Sequence, residues 1–357
     1  MRVGILGGGQ LARMIALAGY PLGITCSFLD SAPDACAGPL GDLVVDSYDA
    51  AAGLDRLAAA SDVVTFEFES VRAASAQRLA SRVTVLPPAG ALEVAQDRLL
   101  EKQLFGELGI ETAAFWPVDS QADLDAAALP GVLKTRRLGY DGKGQRVLRQ
   151  PADSDGVFAQ LGSVPMILER LVEFDRELSL IAVRGRDGQV ACYPLVENHH
   201  RDGILRLTHA PAPALTAELQ ALGERYASAL LERLEYVGVL ALELFQVGDR
   251  LLANEMAPRV LNAGHWTIEG AETSQFENHL RAVCGLPLGS TELRTPSTMV
   301  NLIGGAPSLA ELTAIDAAHV HLYGKAPRAG RKVGHVTVTG GRDWSRLSAL
   351  ADSAGEG

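Results

Sequence analysis

Two glutamates, Glu243 and Glu255, offer the clearest chemistry in the sequence. They lie in the apolar runs VLALELF and LLANEM on either side of the turn signal GDR at 248–250, which predicts an antiparallel hairpin. If the turn centres on Asp249, the two carboxylates face each other directly. Opposed carboxylates repel unless one is protonated or a cation lies between them. Mg²⁺ is the expected cation, because it takes oxygen ligands and is usually shared between carboxylates and nucleotide phosphates.

The residues around this pair add further polar groups. Asn254 supplies a neutral oxygen, although strand alternation directs it to the opposite face unless the strand bulges. The next loop, PRVLNAGHWT, contains Arg259, Asn262 and His265, which beside a metal site are suited to hold a small anion. The alternative is that the glutamates are ordinary exposed acids on a sheet face, and their strongly apolar strands disfavour it.

A glycine-rich, cation-rich run, TRRLGYDGKGQ, follows Lys134 and precedes a predicted strand at 146–148. Glycines let backbone N–H groups approach phosphate oxygens, and Lys and Arg neutralise the charge that develops during phosphoryl transfer. The run is not a Walker A motif, because the pattern GxxxxGK[ST] is absent. A solvated basic hairpin is the alternative interpretation.

Further acids and cations suggest where a nucleotide would lie. Glu169 and Glu177 belong to neighbouring apolar strands, and a strand edge with a carboxylate at its end suits an adenine and a ribose. Each acid is equally suited to pair with a nearby arginine. His199 and His200 form a second cluster, with a plain surface role as the alternative.

Four cations near the C-terminus favour a binding place for a substrate phosphate, with a solvated loop as the alternative. These are Lys325, Arg328, Arg331 and Lys332.

The N-terminal segment predicts the opening of a βαβ unit. Gly7-x-Gly9-x-x-Ala12 follows a short strand and precedes an apolar helix, and Asp30 ends the next strand about twenty residues further on. Taken alone, this pattern fits an NAD enzyme. The alternative is that the glycines only allow a tight turn, and that the helix N-terminus binds another anion or nothing.

Length and composition limit the classes of protein and partner to which these interpretations can apply. The chain has 357 residues, of which 47% are hydrophobic and 21% are charged, so we expect two to three globular domains rather than a disordered or fibrous chain. The net charge of −11 disfavours nucleic acid as a partner.

We expect neither a signal peptide nor a membrane span. Four scattered cysteines predict no disulfide framework or zinc site, and favour buried thiols in a reducing cytosol.

The order of predicted elements indicates a mixed α/β and α+β protein with three domains. We expect a Rossmann-like parallel domain over residues 1–96 and a body over 97–290, with a small lid lobe at about 112–175. A small β-rich domain would occupy 291–357. Asp97 is expected to cap a helix that stops near Gly109, and a long helix is expected at about 214–234.

The chain resembles the ATP-grasp ligases, and among them the 5-(carboxyamino)imidazole ribonucleotide synthases of purine biosynthesis. GYDGKG and the hairpin from ELF to NEMAPR are typical of ATP-grasp proteins, whereas EFE, NAGHWT and GRKVGH are typical of these synthases. The other matching segments, which bring the resemblance to nearly the whole chain, are GILGGGQLARM, VVTFEFESV, DRLLEKQLF, EFDRELSL, YPLVENHH, GVLALELF, TPSTMVNLIG and YGK.

The resemblance implies a three-domain ATP-grasp enzyme whose Rossmann-like first domain binds substrate and not NAD. Its activity would be the ATP- and bicarbonate-dependent carboxylation of 5-aminoimidazole ribonucleotide through carboxyphosphate, with Mg²⁺ bound. It would be a cytoplasmic homodimer that binds small molecules, and neither nucleic acid nor membranes. The alternatives are another ATP-grasp ligase with a phosphorylated acceptor, an NAD-dependent oxidoreductase, and a catalytically silent nucleotide-binding protein.

Carried over by position, the resemblance also implies site residues. Those that would contact ATP are Arg98, Lys134, Gly139, Tyr140, Asp141, Gly142, Lys143, Gly144, Glu169, Arg170, Leu171, Val172, Glu177, His200, Asn254 and Glu255. Those that would hold Mg²⁺ are Glu243 and Glu255. Those that would hold the ribonucleotide are Glu67, Tyr140, Asp141, Arg259, Lys325 and Arg331. Those expected to act in catalysis are Asp141 as acceptor of the amine proton, Lys134, and Arg259, Asn262 and His265 near bicarbonate.

Three positions depart from the family pattern. Leu138 stands where a glycine is usual, Leu261 where a histidine is usual, and Ala263 where a serine is usual. The last two remove polar groups near the expected bicarbonate site.

Overall fold

The computed structural model describes residues 1–139 and 144–355. Residues 1–96 contain a parallel sheet in the order β3-β2-β1-β4-β5, counted over the described residues. Its strands are β1 (Arg2–Leu6), β2 (Thr25–Asp30), β3 (Gly41–Val45), β4 (Val63–Phe66) and β5 (Thr84–Val85). Its helices are α1 (Gln10–Gly19), α2 (Ala51–Ala59), α3 (Ala73–Ala80) and α4 (Ala89–Ala95). The central strands β1 and β4 are buried along almost their whole length, as expected for a parallel sheet covered on both faces.

A second, smaller sheet is antiparallel, in the order β6-β9-β7-β8 within the described part of the chain. Its strands are β6 (Phe115–Val118), β7 (Gly131–Thr135), β8 (Gln145–Leu148) and β9 (Met166–Arg170), and two short helices accompany them, α6 (Gln121–Asp125) and α7 (Val157–Gln160). It has a hydrophobic core of its own around Val118, Leu133 and Leu168. The glycine-rich run connects β7 to β8, so the sheet holds both ends of that run.

The largest sheet runs from the glutamate hairpin to the C-terminal strands, in the order β15-β14-β10-β12-β13-β16-β18-β17 with β11 beside β10, as far as the described residues show. Its strands are β10 (Arg176–Arg184), β11 (Val190–Cys192), β12 (Val196–Arg201), β13 (Ile204–Ala210), β14 (Gly238–Val247), β15 (Arg250–Ala257), β16 (Ser297–Ile303), β17 (Ala318–Leu322) and β18 (Lys332–Thr339). The remaining helices are α5 (Arg98–Glu107), α8 (Ala217–Arg233), α9 (Thr267–Gly270), α10 (Gln275–Cys284), α11 (Leu309–Thr313) and α12 (Ser345–Gly355). The C-terminal strands therefore continue the central sheet, through the pairing of β13 with β16.

Helix α5 begins where the sequence predicts. Asp97 caps it by accepting a hydrogen bond from the backbone N–H of Leu99 at 3.1 Å. The same carboxylate binds Arg136 through two hydrogen bonds of 2.9 and 2.7 Å, and the N–H of Arg98 donates to the carbonyl of Arg136. Asp97 thus joins the start of α5 to the end of β7, next to the glycine-rich run.

Replacing Asp97 by alanine should lower the free energy of unfolding by about 2–3 kcal/mol, because a cap and a buried ion pair are lost together. Asp97→Asn, which retains a capping oxygen, should cost less. Burial raises the pKa of Asp97, but hydrogen bonding and the charge of Arg136 outweigh it and the net shift is downward. The stabilisation is therefore present above the ordinary aspartate pKa and is lost as the pH falls through the depressed folded-state pKa.

Urea unfolding of the Asp97 variants checks this expectation. The difference between Asp97→Asn and the unsubstituted protein should stay constant from pH 7 to about 5 and close at lower pH. The matched control is Asp62→Asn, which breaks an exposed ion pair with Arg2 and should shift the transition far less. A difference that already closes between pH 7 and about 6, where histidines titrate, would contradict this role of Asp97.

Two further expectations concern membranes and cysteines. None of the described helices is both long and apolar enough to cross a membrane. All four cysteines are free thiols, two of them buried and two half-buried. Burial raises the pKa of the Cys26 thiol to about 12, which makes it a poor nucleophile.

Candidate active site

The glutamate hairpin has the predicted pairing of Glu243 with Glu255, but its turn and register differ from those expected. Val247 pairs with Arg250, so the turn is Gly248-Asp249 and the premise that it centres on Asp249 is wrong. A simple continuation of this register would not bring the two glutamates together. They are nevertheless direct partners, because the ladder shifts by one residue between Glu243 and Leu244.

The register shift makes Asn254 the extra residue of a β-bulge. Leu244 pairs with Ala253 and Glu243 pairs with Glu255, so Asn254 has no partner of its own in the ladder. A bulge interrupts the alternation of side chains, and the Asn254 side chain lies near Lys134, with Oδ1 3.4 Å from Lys134 Nζ. The strand therefore bulges at Asn254, which is the condition under which the sequence allows Asn254 to lie on the same side as the glutamates.

The electrostatics of the glutamate pair is strongly asymmetric. Burial and the neighbouring Glu255 raise the pKa of Glu243. Burial also acts to raise the pKa of Glu255, but Arg98, whose Nη1 lies 2.6 Å from Oε2, outweighs it and lowers the pKa. Glu255 is thus ionised and paired with Arg98, while Glu243 is held close to that negative charge, which His200 and Arg259 do not outweigh.

This donor set fits Mg²⁺. Within residues 1–139 and 144–355, no group of three or more His, Cys, Asp or Glu side chains could hold a metal ion. Mg²⁺ usually binds one or two protein carboxylates and completes its octahedron with water and substrate phosphates. Two opposed carboxylates beside the amide oxygen of Asn254 match that requirement, and a cation there would remove the repulsion that raises the pKa of Glu243.

Lys134 and Glu169 lie on adjacent strands of the small sheet, and both side chains are nearly buried. Lys134 Nζ is 3.0 Å from Glu169 Oε1, and Lys102 approaches the other oxygen at 3.3 Å. Burial acts to raise the pKa of Glu169, but the two lysines outweigh it and lower the pKa. Glu169 therefore stays ionised between two cations, and Lys134 is held toward the hairpin.

The predicted nucleotide strand edge continues from Glu169. The N–H of Arg170 donates to the carbonyl of Ala114, and that of Leu171 donates to the carbonyl of Pro130. Arg170 is exposed, whereas Leu171 and Val172 are half-buried. These amides are therefore already paired within the small sheet and its neighbours.

Glu177 and His200 contact each other on adjacent strands β10 and β12. Burial lowers the pKa of His200, but the Glu177 carboxylate outweighs it and the net shift is upward. Phe174 and Phe245 stack nearby, with ring centroids 4.6 Å apart and planes 10° from parallel. Phe245, Glu177, Glu243 and Asn254 line one small cleft, which connects the expected nucleotide residues with the glutamate hairpin.

The structure describes only the two ends of the glycine-rich run. Four of the expected site residues, Tyr140, Asp141, Gly142 and Lys143, lie outside the described residues. Gly139 is half-buried, and Gly144, at φ 72°, accepts a hydrogen bond from the N–H of Thr135 through its carbonyl. Leu138 also has a positive φ of 64°, a conformation that favours glycine, which gives a physical reason why glycine is usual there.

The N-terminal glycine loop binds carboxylates of the protein itself. Asp30 Oδ2 accepts from the N–H of Gly8 at 2.7 Å, and Glu67 accepts from the N–H groups of Gly9 and Ala12. The N–H groups that a dinucleotide phosphate would use at this helix N-terminus are thus already occupied. This arrangement disfavours the NAD interpretation. It also places Glu67, which directly follows β4, against the glycine loop.

Lys325 lies close to this glycine loop and contacts the side-chain oxygen of Gln10. Burial is the main factor that lowers the pKa of Lys325, and Arg331 and Lys332 lower it further. Arg331 donates to the carbonyl of Ala326 at 3.2 Å. Lys325 therefore joins the C-terminal segment to the first domain, and the Arg331 charge is close enough to act on its pKa.

The loop after the hairpin is fixed by long-range contacts. Arg259 forms an ion pair with Glu69 of the first domain, and burial of Glu69 is outweighed by this arginine, so that its pKa is lowered. The side-chain amides of Asn262 and Asn301 exchange two hydrogen bonds. His265 is only 1% exposed and contacts Asn262 at 2.9 Å through Nδ1, so it lies behind Asn262 in the core.

Comparisons with known proteins agree with this geometry. Residues 1–96 match the ribonucleotide synthetase preATP-grasp domain, residues 103–276 the ATP-grasp domain, and residues 297–347 the phosphoribosylaminoimidazole carboxylase C-terminal domain. The N5-carboxyaminoimidazole ribonucleotide synthase of Pseudomonas aeruginosa is 58% identical over 342 residues, which cover 95% of this chain and 94% of that protein. The chain belongs to the N5-carboxyaminoimidazole ribonucleotide synthase family.

Solved structures of this family share the fold. The synthetase from Thermus thermophilus superposes with a TM-score of 0.93 at 56% identity and covers 98% of both chains. The synthase from Aspergillus clavatus, in complex with ADP and 5-aminoimidazole ribonucleotide, has a TM-score of 0.91 at 32% identity and covers 98% of this chain and 97% of its own. The expected fold class, an ATP-grasp protein with a preATP-grasp first domain, is confirmed.

Three residues of the site were missed by reasoning from the sequence, namely Glu69, Glu101 and Lys102. Glu69 follows Glu67 by two residues in the family segment EFE, which is the signal that marks it. Glu101 and Lys102 follow Arg98 at helical spacings of three and four residues, and both are 1% exposed. A helix that buries two charged residues beside a half-buried arginine on one face is a signal that hydrophobic periodicity alone does not detect.

Proposed function

We propose that this protein is an ATP-dependent ligase that carboxylates 5-aminoimidazole ribonucleotide with bicarbonate to give N5-carboxyaminoimidazole ribonucleotide, a step of purine biosynthesis. The observation that carries this proposal is the pairing of Glu243 with Glu255 beside Lys134, in a chain of this family. Two carboxylates, an arginine and a lysine around one cleft suit Mg²⁺ and the phosphates of ATP. The name of the 58% identical relative supports the choice of acceptor.

The residues of the cleft have separable roles in phosphoryl transfer. Lys134 would neutralise negative charge that develops on the transferred phosphoryl group. Glu243, Glu255 and Asn254 would hold Mg²⁺, which when bound neutralises phosphate charge and orients the phosphates. Arg98 would keep Glu255 ionised, and Glu177 with His200 would bind the ribose and base end of the nucleotide. The main-chain segment from Arg170 to Val172 would lie against the adenine.

In the proposed reaction, a bicarbonate oxygen attacks the γ-phosphorus of ATP, and ADP leaves. The resulting carboxyphosphate breaks its C–O bond to give phosphate and CO₂. The exocyclic amine of the ribonucleotide then attacks the CO₂ carbon and loses a proton, for which Asp141 is the proposed acceptor. Arg259 and Asn262 would hold bicarbonate, with His265 behind Asn262 to orient it. The site must exclude water, because water would consume the carboxyphosphate.

The first domain and the C-terminal cations would hold the ribonucleotide. Lys325 contacts Gln10 beside the N-terminal glycine loop, so Lys325 and Arg331 would bind the phosphate of the acceptor, with Glu67 contacting the same ribonucleotide. Tyr140 and Asp141 of the glycine-rich run would complete this pocket. We also propose the division into domains at 1–96, 97–290 and 291–357, with a lid lobe at about 112–175, and a cytoplasmic homodimer.

Replacing Lys325 by methionine should raise the KM for the ribonucleotide about tenfold or more, because a charged contact to its phosphate is lost, while the KM for ATP changes little. Steady-state ADP formation with each substrate varied in turn measures both values. Arg342→Met is the control, since Arg342 is an exposed cation of the same region paired with Asp316 at 3.5 Å. An equal rise in both KM values would contradict a specific role in acceptor binding.

The test of the function is ADP release from Mg·ATP with bicarbonate and 5-aminoimidazole ribonucleotide each present and omitted. We expect rapid release only with both present, and one carboxylated ribonucleotide for each ADP. Release that ignores the ribonucleotide but requires another phosphorylated acceptor would indicate a different ATP-grasp ligase. Binding of ATP without any release would indicate a silent nucleotide-binding protein.

A further inference from the structure

The bulge at Asn254 is the feature that places Asn254 beside Lys134 and Glu255 opposite Glu243, so the contacts that stabilise this bulge bear on the site. Strand β15 is the edge strand of the largest sheet in the described part of the chain. On its outer side the N–H of Ala253 donates to the carbonyl of Glu111 at 2.7 Å, and the carbonyls that follow need partners from other elements. A β-bulge also leaves backbone groups out of the ladder on the side where pairing exists. Buried groups of this kind require other partners.

Two consecutive residues of α5 supply those partners. Lys102 Nζ donates to the carbonyl of Asn254 at 2.7 Å and to that of Ala253 at 3.0 Å. Glu101 Oε1 accepts from the N–H of Met256 at 2.7 Å. The main chain is therefore held on both sides of Glu255, by a cation that binds the carbonyls before it and an acid that binds the N–H after it.

The same lysine also reaches the neighbouring elements. Its Nζ lies 2.9 Å from Thr112 Oγ1 and 3.3 Å from Glu169 Oε2, so all of its donors are engaged. Arg98, one helical turn before Lys102, binds the side chain of Glu255 itself. One face of α5 thus fixes the backbone of the bulge, the carboxylate that follows it, and Glu169 of the small sheet.

We infer that Lys102 and Glu101 are positioning residues that hold the β15 bulge in the form that presents Asn254 and Glu255 to a nucleotide-bound Mg²⁺. Neither side chain reaches the cleft, since each is 1% exposed. They act through backbone groups, so removing them should weaken the contribution of the cation to nucleotide binding rather than nucleotide binding as such. This inference rests on the proposed Mg·ATP-dependent function.

The test compares the dissociation constant of ADP with and without Mg²⁺, by calorimetry on the full chain. The dissociation constant without Mg²⁺, divided by the constant with Mg²⁺, measures how much the cation strengthens ADP binding. Lys102→Met should reduce this ratio about tenfold, the lower end of the range for residues that support metal ligands, while metal-free ADP binding changes less than about threefold. Leu230→Ala is the control: Leu230 is fully buried in the hydrophobic cluster that includes Leu104 and Phe105 of α5, so its replacement should destabilise the fold without changing the ratio.

A second pair of variants keeps the test decisive if Lys102→Met fails to fold. Glu101→Gln retains an oxygen for the N–H of Met256 and should keep most of the Mg²⁺ effect, whereas Glu101→Leu should lose it. Equal ratios in Glu101→Leu, Lys102→Met and the unsubstituted protein would overturn the inference alone. Absence of ADP binding by the unsubstituted protein would overturn the proposed function, and the inference with it.

Discussion

Replacing Glu255 by glutamine is expected to reduce the rate of ADP formation by on the order of a thousandfold or more, because a charged oxygen ligand of the proposed Mg²⁺ site is lost. The substitution keeps the size of the side chain and its place opposite Glu243. It also leaves Arg98 without its ion-pair partner, which is now 2.6 Å away. Both changes act on the charge balance of the cleft and not on its shape.

Steady-state ADP formation at saturating ATP, Mg²⁺ and bicarbonate measures the effect of Glu255→Gln. The matched control is Glu111→Gln, which breaks an exposed ion pair with Arg250 on the same hairpin and should leave the rate within about twofold. Circular dichroism establishes that both variants fold. A folded Glu255→Gln variant that retains a tenth of the rate would contradict the assignment of Glu255 to the metal.

Replacing Lys134 by methionine is expected to lower kcat about a hundredfold, the typical loss when one preorganised charge near a developing anion is removed. Lys134 is nearly buried, and its Nζ lies 3.0 Å from Glu169 and 3.4 Å from Asn254. The variant should fold, because Lys102 still pairs with Glu169 at 3.3 Å. Glu169 would therefore not be left as a lone buried charge.

The comparison of kcat with KM separates a catalytic from a binding role of Lys134. We expect kcat to fall by a much larger factor than KM for ATP rises, since the charge that Lys134 neutralises is greatest in the transition state. Arg233→Met is the control, because Arg233 is an exposed cation far along the chain in α8. A rise in KM with unchanged kcat would show that Lys134 only binds the nucleotide.

The elements that hold the site could be predicted where the residues that determine them are close together in the sequence. Asp97 was expected to cap α5 and does so, since a capping aspartate and the helix it starts are adjacent in sequence. The pairing of Glu243 with Glu255 was also expected, and is confirmed. Its stated reason was wrong, because the turn contains Gly248 and Asp249 and the bulge supplies the missing residue.

The bulge itself could not be read from the strand. It depends on Lys102 and Glu101, which lie about 150 positions earlier in the chain, and no property of residues 250–257 indicates those contacts. The same is true of the ion pair between Glu69 and Arg259, which joins the first domain to the loop after the hairpin. Contacts between distant segments follow from packing, which periodicity and spacing do not specify.

The arrangement of the C-terminal strands gives a further example. The sequence predicts β-rich structure over residues 291–357, yet it does not indicate that β16 pairs with β13 and so continues the largest sheet. The contact of Lys325, in the segment between β17 and β18, with Gln10 is likewise long-range. Strand order in a sheet depends on which edge strand a later strand pairs with. The local sequence carries little information about that choice.

The central claim is that this site uses ATP to activate bicarbonate, and transfer of labelled oxygen tests it most directly. The protein is incubated with Mg·ATP, 5-aminoimidazole ribonucleotide and ¹⁸O-labelled bicarbonate, and the phosphate released is analysed by mass spectrometry. Attack of bicarbonate on the γ-phosphorus predicts one ¹⁸O atom in each phosphate formed, because the C–O bond of carboxyphosphate breaks. Unlabelled phosphate, formed together with ADP, would contradict the account.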